Sequence, residues 1–393
     1  MRRQPVTTVA QFAGFEELPE ETRSLFESVG ANCFFSSLPW FSVFVGHALE
    51  PDDRVRIICS APDIKNGNAP HFALPAVERA ADKGVLKPRR LCSLANYYSC
   101  LYSPAFAGPD CRQAAYEVAR AIATDAPRWD VVELKPLDVA SPLFSALAEG
   151  FREAGFVVQS YFCFGNWYLD VGGRSFQQYF EGLPSTLKNT VQRKKKKLEK
   201  SGRAKIAICT GIEGLDLAID AYEKVYSASW KQPEPYPHFI PELIRTCARL
   251  GTLRLGTVHV DGEPAAAQFW IVQNGVAMIY KLAYDERFRD LSVGSILTAS
   301  LMQHVLDIDR VREVDYLSGD DDYKKDWMSG RRERWGLLVM NPRTLRGCLA
   351  ILRHLGGRAV KRTIQSLRSR LSGRRPDIPN TPPITNSLHE ANP

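Results

Sequence analysis

The stretch Arg289-Asp290-Leu291-Ser292-Val293-Gly294-Ser295 lies where a strand-like run, "MIYKLAYD", gives way to a helix-like one, "ILTASLMQHVL". The first amides of a helix have no partner within it and sit at the positive end of its dipole, so such a start can hold an anion. Gly294 lets backbone approach that anion closely, and Arg289, Ser292, Val293 and Ser295 surround it. A second anion-seeking stretch precedes it. "TLKNTVQRKKKKLEKSG", from Thr186 to Gly202, carries Lys188, Arg193 to Lys197 and Lys200 on a helix that Pro184-Ser185 should start and Gly202 close. Its apolar stripe (Leu187, Val191, Leu198) is thin, so the run reads either as a solvated basic face or as a contact for a phosphate-bearing ligand. No nucleic-acid recognition module accompanies it and no aromatic residue interleaves it, which argues against nucleic acid as a partner.

Other chemistries find little support. The nine cysteines form no C-x-x-C pair and the seven histidines no H-x-x-x-H spacing, so neither a disulfide framework nor a metal site is expected. No Ser or Cys sits in a nucleophile-elbow motif, so no covalent nucleophile is expected. No run approaches the ~20 apolar residues of a membrane span, and the N-terminus has no apolar segment after its arginines, so a cytoplasmic location is expected. Its net charge of +7 is uneven: residues 343–375 hold ten Lys/Arg and no acid, leaving the rest of the chain net acidic. Leu345, Leu349, Leu352 and Leu355, then Val360, Ile364, Leu367 and Leu371, recur there at helical spacing. Two basic amphipathic helices are expected, either docked on the fold or lying on the inner face of an anionic membrane. A disordered tail is expected over 376–393.

The elements that must position these residues form two lobes, the default for 393 residues. After an N-terminal segment (1–30), residues 31–172 read as an α/β lobe and 173–342 as a second. In the second, strand Ala204–Thr210 is followed by two helices separated by "QPEPYPH". Three strands follow, joined by Asp261-Gly262 and Asn274-Gly275, dipeptides that favour two-residue hairpins. Next come the turn at 289–295, a helix over Ser295–Leu306, a strand, the polar segment "GDDDYKKDWMSG" and a closing strand.

This order resembles the GNAT acyltransferase fold, in which the turn before the central helix carries a loose R/Q-x-x-G-x-G/A motif. Here Ser295 stands for the second glycine, with the arginine five residues before Gly294. The Trp40 segment, "SFQQYFEGLPSTLKNTVQRKKKKLEK" and the Gly-x-x-x-Tyr-Lys-x-x-Trp pattern of "GDDDYKKDW" are similar to the cellulose-biosynthesis-type acetyltransferase branch, akin to the two-lobed Fem-type aminoacyltransferases. The resemblance implies two tandem GNAT-like lobes, each a mostly antiparallel mixed sheet flanked by helices, the first having lost its donor site and shaping the acceptor cleft. It implies acyl-coenzyme A as co-substrate and no permanently bound cofactor. The donor would lie along a splayed strand at Lys281, Leu282, Ala283 and Tyr284 and over Arg289, Ser292, Val293, Gly294 and Ser295. Tyr323 would protonate the departing thiolate, Lys324 would stabilise the oxyanion or bind an anionic acceptor, and Asp322 or Asp320 would be the base, with His259 and Asp315 in reserve. Trp40, Tyr97, Lys188, Arg193 and Tyr280 would face the acceptor. A bland reading of "DYKKDW" remains beside this: an amphipathic turn with Tyr323 and Trp327 in the core.

Four functions stay open at this level. They are acyl transfer, other than aminoacyl, to an amine on a sugar or polysaccharide precursor of the cell envelope; long-chain transfer to a lipid amine such as a sphingoid base; aminoacyl transfer from aminoacyl-tRNA; and a non-catalytic membrane-associated scaffold.

Overall fold

Each half of the chain repeats one order of elements. The computed structural model describes residues 9–60, 71–79, 87–107 and 111–354. The first half runs β1 (Val9–Phe12), α1 (Glu20–Gly30), α2 (Leu38–His47), β2 (Arg54–Ser60), β3 (Phe72–Arg79), β4 (Arg90–Ser93), the short β5 (Ala105–Phe106), α3 (Cys111–Thr124), β6 (Val131–Asp138), α4 (Pro142–Glu153) and β7 (Val157–Asp170). Helices α5 (Phe176–Glu181) and α6 (Ser185–Ser201) connect the halves. The second runs β8 (Ala204–Cys209), α7 (Leu215–Ser227), α8 (Phe239–Arg249), β9 (Leu253–Val260), β10 (Glu263–Gln273), β11 (Val276–Tyr284), α9 (Val293–Gln303), β12 (Glu313–Asp315), a 3-10 turn (Asp322–Asp326) and β13 (Gly330–Met340).

Local chemistry explains the boundaries. Asp261-Gly262 and Asn274-Gly275 have positive φ at both residues (52° and 85°; 45° and 69°). That is the two-residue turn whose twist matches paired strands, and it fixes the register of β9, β10 and β11. Ser37 caps α2, Ser141 caps α4, and Ser175 with Gln178 forms a capping box on α5. Gly202, at φ 63°, ends α6.

One mixed sheet spans the molecule in the order β1-β2-β3-β4-β6-β13-β7-β12-β11-β10-β9-β8, with β5 on β3. Its centre is an exchange. The last strand of the second half, β13, pairs with β6 of the first; the last strand of the first half, β7, pairs with β12 of the second. The two run antiparallel to each other from Gly330 opposite Tyr168 to Met340 opposite Val157. A division of the chain near residue 172 therefore does not divide the sheet.

Helices cover both faces. On one, α1 and α2 meet α7 and α8 over a core that includes Phe26, Trp40, Phe41, Phe239 and Ile244; the Trp40 and Phe239 rings are 5.7 Å apart. On the other, α5, α6 and α9 pack over Trp270, Ile279 and Val314, while α3 and α4 pack with Trp129 and Phe151 over the first half. Each fully buried large side chain of this kind contributes about 1.5–3 kcal/mol. A helix over 345–354 follows β13, with Leu345, Leu349 and Leu352 exposed (74%, 40% and 67%). The rest of the expected basic amphipathic segment and the tail lie outside the described residues. Among the described residues no helix is long and apolar enough to cross a membrane, and no cluster could hold a metal ion.

Candidate functional site

Strand β12 pairs with β11 only at Val276, Ala277 and Met278. The cause lies in β11 itself. Opposite Phe269 and Trp270 stand Lys281 and Ile279, so Tyr280 is an extra residue, a bulge that bends the strand away. The chain leaving β12 instead stays on β7, through Tyr316 N–H to Trp167 O (2.8 Å) and the Asn166–Gly319 bridge. A wedge opens between the two paths. Asp285 N–H donates back to Ala265 O on the β10 side (2.9 Å), so strand alternation turns the N–H and C=O of Leu282 and Tyr284 onto the open side. Unpaired strand groups of this kind seek a partner, and an extended ligand arm can supply one.

The wedge leads to the start of α9. Ser292, left-handed at φ 56°, precedes it, and no side chain caps the helix. Among the described residues the amides of Val293, Gly294 and Ser295 have no partner. Gln268, buried behind them, donates to Gly294 O (3.1 Å) and Thr298 Oγ (2.8 Å) and fixes the helix start. Arg289 is exposed beside this loop, and Lys194 of α6 donates to Asp290 O. These positions correct the motif's register. The residue needing positive φ is Ser292, so the loop is Arg289-x-x-Ser292-x-Gly294, and Ser295 lies inside the helix rather than replacing a glycine.

The corresponding notch in the first half is filled. Ser93 Oγ donates to Lys135 O (2.6 Å) and accepts from Lys135 N–H (3.1 Å), and Tyr102 N–H donates to Pro136 O (2.6 Å). The same loop turns Tyr97 and Tyr98 toward β11. There Tyr98 Oη donates to Glu234 Oε2 (2.5 Å), Lys281 Nζ to Glu234 Oε1 (2.6 Å), and Tyr280 Oη to Tyr98 O (3.0 Å). Glu234 and Lys231 come from the Pro-rich connection between α7 and α8. Burial alone would raise the Glu234 carboxyl, but the Lys281 ammonium and the hydrogen bonds from Tyr98 and Tyr226 outweigh it and hold the group below the usual carboxylate range. Burial and the nearby Lys281 charge push Lys231 down to about 8. The Trp230 ring, next to it, packs 4.7 Å from that of Tyr284.

The expected site residues distribute unevenly. Lys281, Leu282, Ala283 and Tyr284 line the wedge, and the loop through Ser295 follows it. Tyr323 lies on the loop that closes the far side, its ring 5.8 Å from Tyr316; burial and Asp321 raise its pKa to about 12. Lys324 is buried and spent: its ammonium donates to Ser318 O (2.5 Å) and Gly319 O (3.3 Å) and pairs with Asp321 (3.0 Å). These bonds tie it to the loop that carries it. Asp322 points into solvent against Lys325, and Asp320 accepts from Arg331 and Trp167, with Arg331 holding its carboxyl low. Asp315 is buried under Asn166, Leu317 N–H and Arg332, and His259 lies in β9 beside Lys205, away from the wedge.

On the acceptor side, Tyr97 is exposed at the mouth (57%), but Trp40 is core, 1% exposed, and Tyr280 is tied to the Tyr98 carbonyl. Lys188 and Arg193 belong to α6, which packs with α9 on the other face; Lys188 Nζ donates to Glu181 O (2.9 Å). Sequence reasoning missed Tyr98, Lys231 and Glu234. The one available signal was a lone carboxylate in a proline-stiffened loop between two helices.

Residues 185–325 match the acetyltransferase (GNAT) domain model, a span holding α6 to the Tyr323 loop. No curated protein sequence matches the chain. Two solved structures share its fold over most of its length: FemX (9% identity, TM-score 0.54, covering 84% of this chain and 96% of that one) and L-PGS from Bacillus licheniformis (11%, 0.51, 88% and 98%). The bulged strand, the wedge and the uncapped helix behind it thus lie within the part of the chain that matches the GNAT domain, and the whole has a GNAT-type fold.

Proposed function

We propose that the protein moves an acyl group from acyl-coenzyme A to an amine on a polar cell-envelope precursor, a sugar or polysaccharide intermediate, in the manner of the cellulose-biosynthesis-type branch. One observation carries this reading: the open edge of β11 ends at Tyr284, whose ring lies beside Gly294 at the uncapped start of α9. An extended thioester arm along Leu282 and Tyr284 thereby meets three free amides suited to its diphosphate. In the reaction the amine lone pair attacks the thioester carbonyl, the C–N bond forms and the C–S bond breaks. The proton lost by nitrogen ends on sulfur, so no further reactant is needed. The outward N–H groups of β11 polarise the carbonyl. Tyr323 stays protonated with its pKa near 12 and donates a hydrogen bond to the departing sulfur. The charged and phenolic lining at Tyr98, Glu234 and Lys281 favours a polar acceptor over a sphingoid chain.

A second reading, aminoacyl transfer from aminoacyl-tRNA, draws support from the exposed basic face of α6 beside the donor loop. Calorimetry separates the two. Saturable acetyl-coenzyme A binding that bulk tRNA does not displace supports the first. Binding of aminoacyl-tRNA without acetyl-coenzyme A binding sinks it in favour of the second, and binding of neither leaves a scaffold.

A further inference from the structure

Three lysines converge where the wedge meets the first half, and one differs from the others. Lys281 is paired with Glu234, and Lys324 with Asp321 and two carbonyls. Lys231 has no hydrogen bond or ion pair to its ammonium among the described residues. Its Nζ lies 5.9 Å from the ring centroids of both Tyr226 and Trp230. The charges that reach it are Lys281 and Lys324, which repel, and Glu234 and Asp321, which attract. Those two carboxylates are already bonded to the other two lysines, so the Lys231 ammonium is left without a bonded counterion among the described residues. An ammonium drawn partly out of water without a counterion is costly, and its natural complement is an anion brought by a ligand.

The geometry points to an acceptor that carries an anionic group, a carboxylate or a phosphate, on the same small molecule as its amine, with the anion on Lys231. The inference rests on the acyltransferase reading and names the substrate class of that site. Position supports it. Lys231 follows Trp230, whose ring packs on Tyr284 at the end of the wedge, so an anion on Lys231 stands beside the thioester path without entering it. Trp230 and Tyr226 flank the ammonium with their rings, which offer it no counterion. A neutral amine of the same size would leave this charge unmet.

The test uses matched pairs: glucosamine 6-phosphate against glucosamine, and glycine against glycinamide, each titrated calorimetrically into the full-length protein with and without coenzyme A. Tighter binding of the anionic member of either pair, by tenfold or more, is expected, and the pair that shows it tells phosphate from carboxylate. The preference should vanish in Lys231→Met and persist in Lys231→Arg, while acetyl-coenzyme A binding stays unchanged in both. Equal binding within both pairs, no binding of any probe, or a preference that survives in Lys231→Met overturns the inference. Failure of the parent reading is separate: it shows as a wild-type protein that binds no acetyl-coenzyme A, whatever the probes do.

Discussion

Gly294→Glu should strengthen the fold and destroy the donor site together. A Cβ added at Gly294 meets only the Tyr284 ring, at 3.4 Å from Cδ1, an ordinary contact, so the side chain can be built without moving backbone. In the first turn of α9, glutamate replaces the weakest ordinary helix former, for about 0.5–1 kcal/mol. Its charge also favours the positive end of the dipole, for about 0.3–1 kcal/mol. Stability should therefore rise by about 1 kcal/mol, seen as a small upward shift in a thermal melt. Binding moves the other way. Two unit charges 4 Å apart repel by about 4 kcal/mol at an effective dielectric constant of 20. Even a carboxylate that swings partly away should cost a diphosphate about 3 kcal/mol, roughly two orders of magnitude in affinity. Isothermal titration with acetyl-coenzyme A beside the melt reads both signs. An unchanged dissociation constant in a folded Gly294→Glu variant would refute the assignment of the helix start as the diphosphate site.

Other outcomes follow from single residues. Ser292→Gly removes a left-handed non-glycine residue costing about 1–2 kcal/mol, partly offset by the added chain entropy of glycine; urea denaturation should show a gain of about 0.5–1 kcal/mol with acetyl-coenzyme A affinity undiminished, and a loss of stability would contradict the strain argument. Lys324→Met strands Ser318 O and Gly319 O, at about 1–3 kcal/mol for each unsatisfied group, so its denaturation midpoint should fall clearly below wild type. Asp322→Asn should leave stability and transfer rate unchanged, and a large rate loss would restore Asp322 as the base. Lys231 gives a pH signature. Its folded pKa of about 8 lies below the free value of about 10.4, so in that window the unfolded chain binds more protons and stability from this group rises with pH. Lys231→Met should accordingly be more stable than wild type at pH 7 and lose that lead by pH 10; a lead independent of pH would show that the ammonium is not held at a cost.

The parts of this site readable in the sequence are those whose cause is local. Asp261-Gly262 and Asn274-Gly275 announce their turns because only such pairs accept positive φ twice, and they bring β11 to the right place. The helix after Gly294 was legible for a similar reason, although the left-handed residue before it was not: nothing in "RDLSVGS" says that Ser292 rather than Ser295 takes the constrained position. The wedge depends on Tyr280 having no partner across the ladder, a register fact invisible in a run that alternates like any half-buried strand. Tyr98 and Glu234 lie 136 residues apart and meet only because the first half fills its own notch with the loop that carries Tyr98. Strands β7 and β13 read as closing strands of their own lobes, since apolar periodicity records burial and not the neighbour. The partners of the charged residues were least legible: Asp320 is held by Arg331 and Trp167 from two strands, Asp322 by Lys325, and Lys324 by Ser318, Gly319 and Asp321, ties that residue type alone does not announce.

The exchange of β7 and β13 also bears on how a substrate can enter. In a protein of two lobes joined by a linker, a cleft can gape by rotation at a hinge. Here every line drawn between the halves crosses main-chain hydrogen bonds of the sheet, from β6 to β13, from β13 to β7 and from β7 to β12. Opening them would break a ladder rather than flex a joint. On the proposed reading, admission of an acceptor then falls to segments that face the wedge without belonging to the sheet, among them the Tyr97-Tyr98 loop and the proline-stiffened loop of Lys231 and Glu234. Their stiffness sets the width of the door, and proline substitutions there should alter which acceptors pass before they alter whether the protein folds.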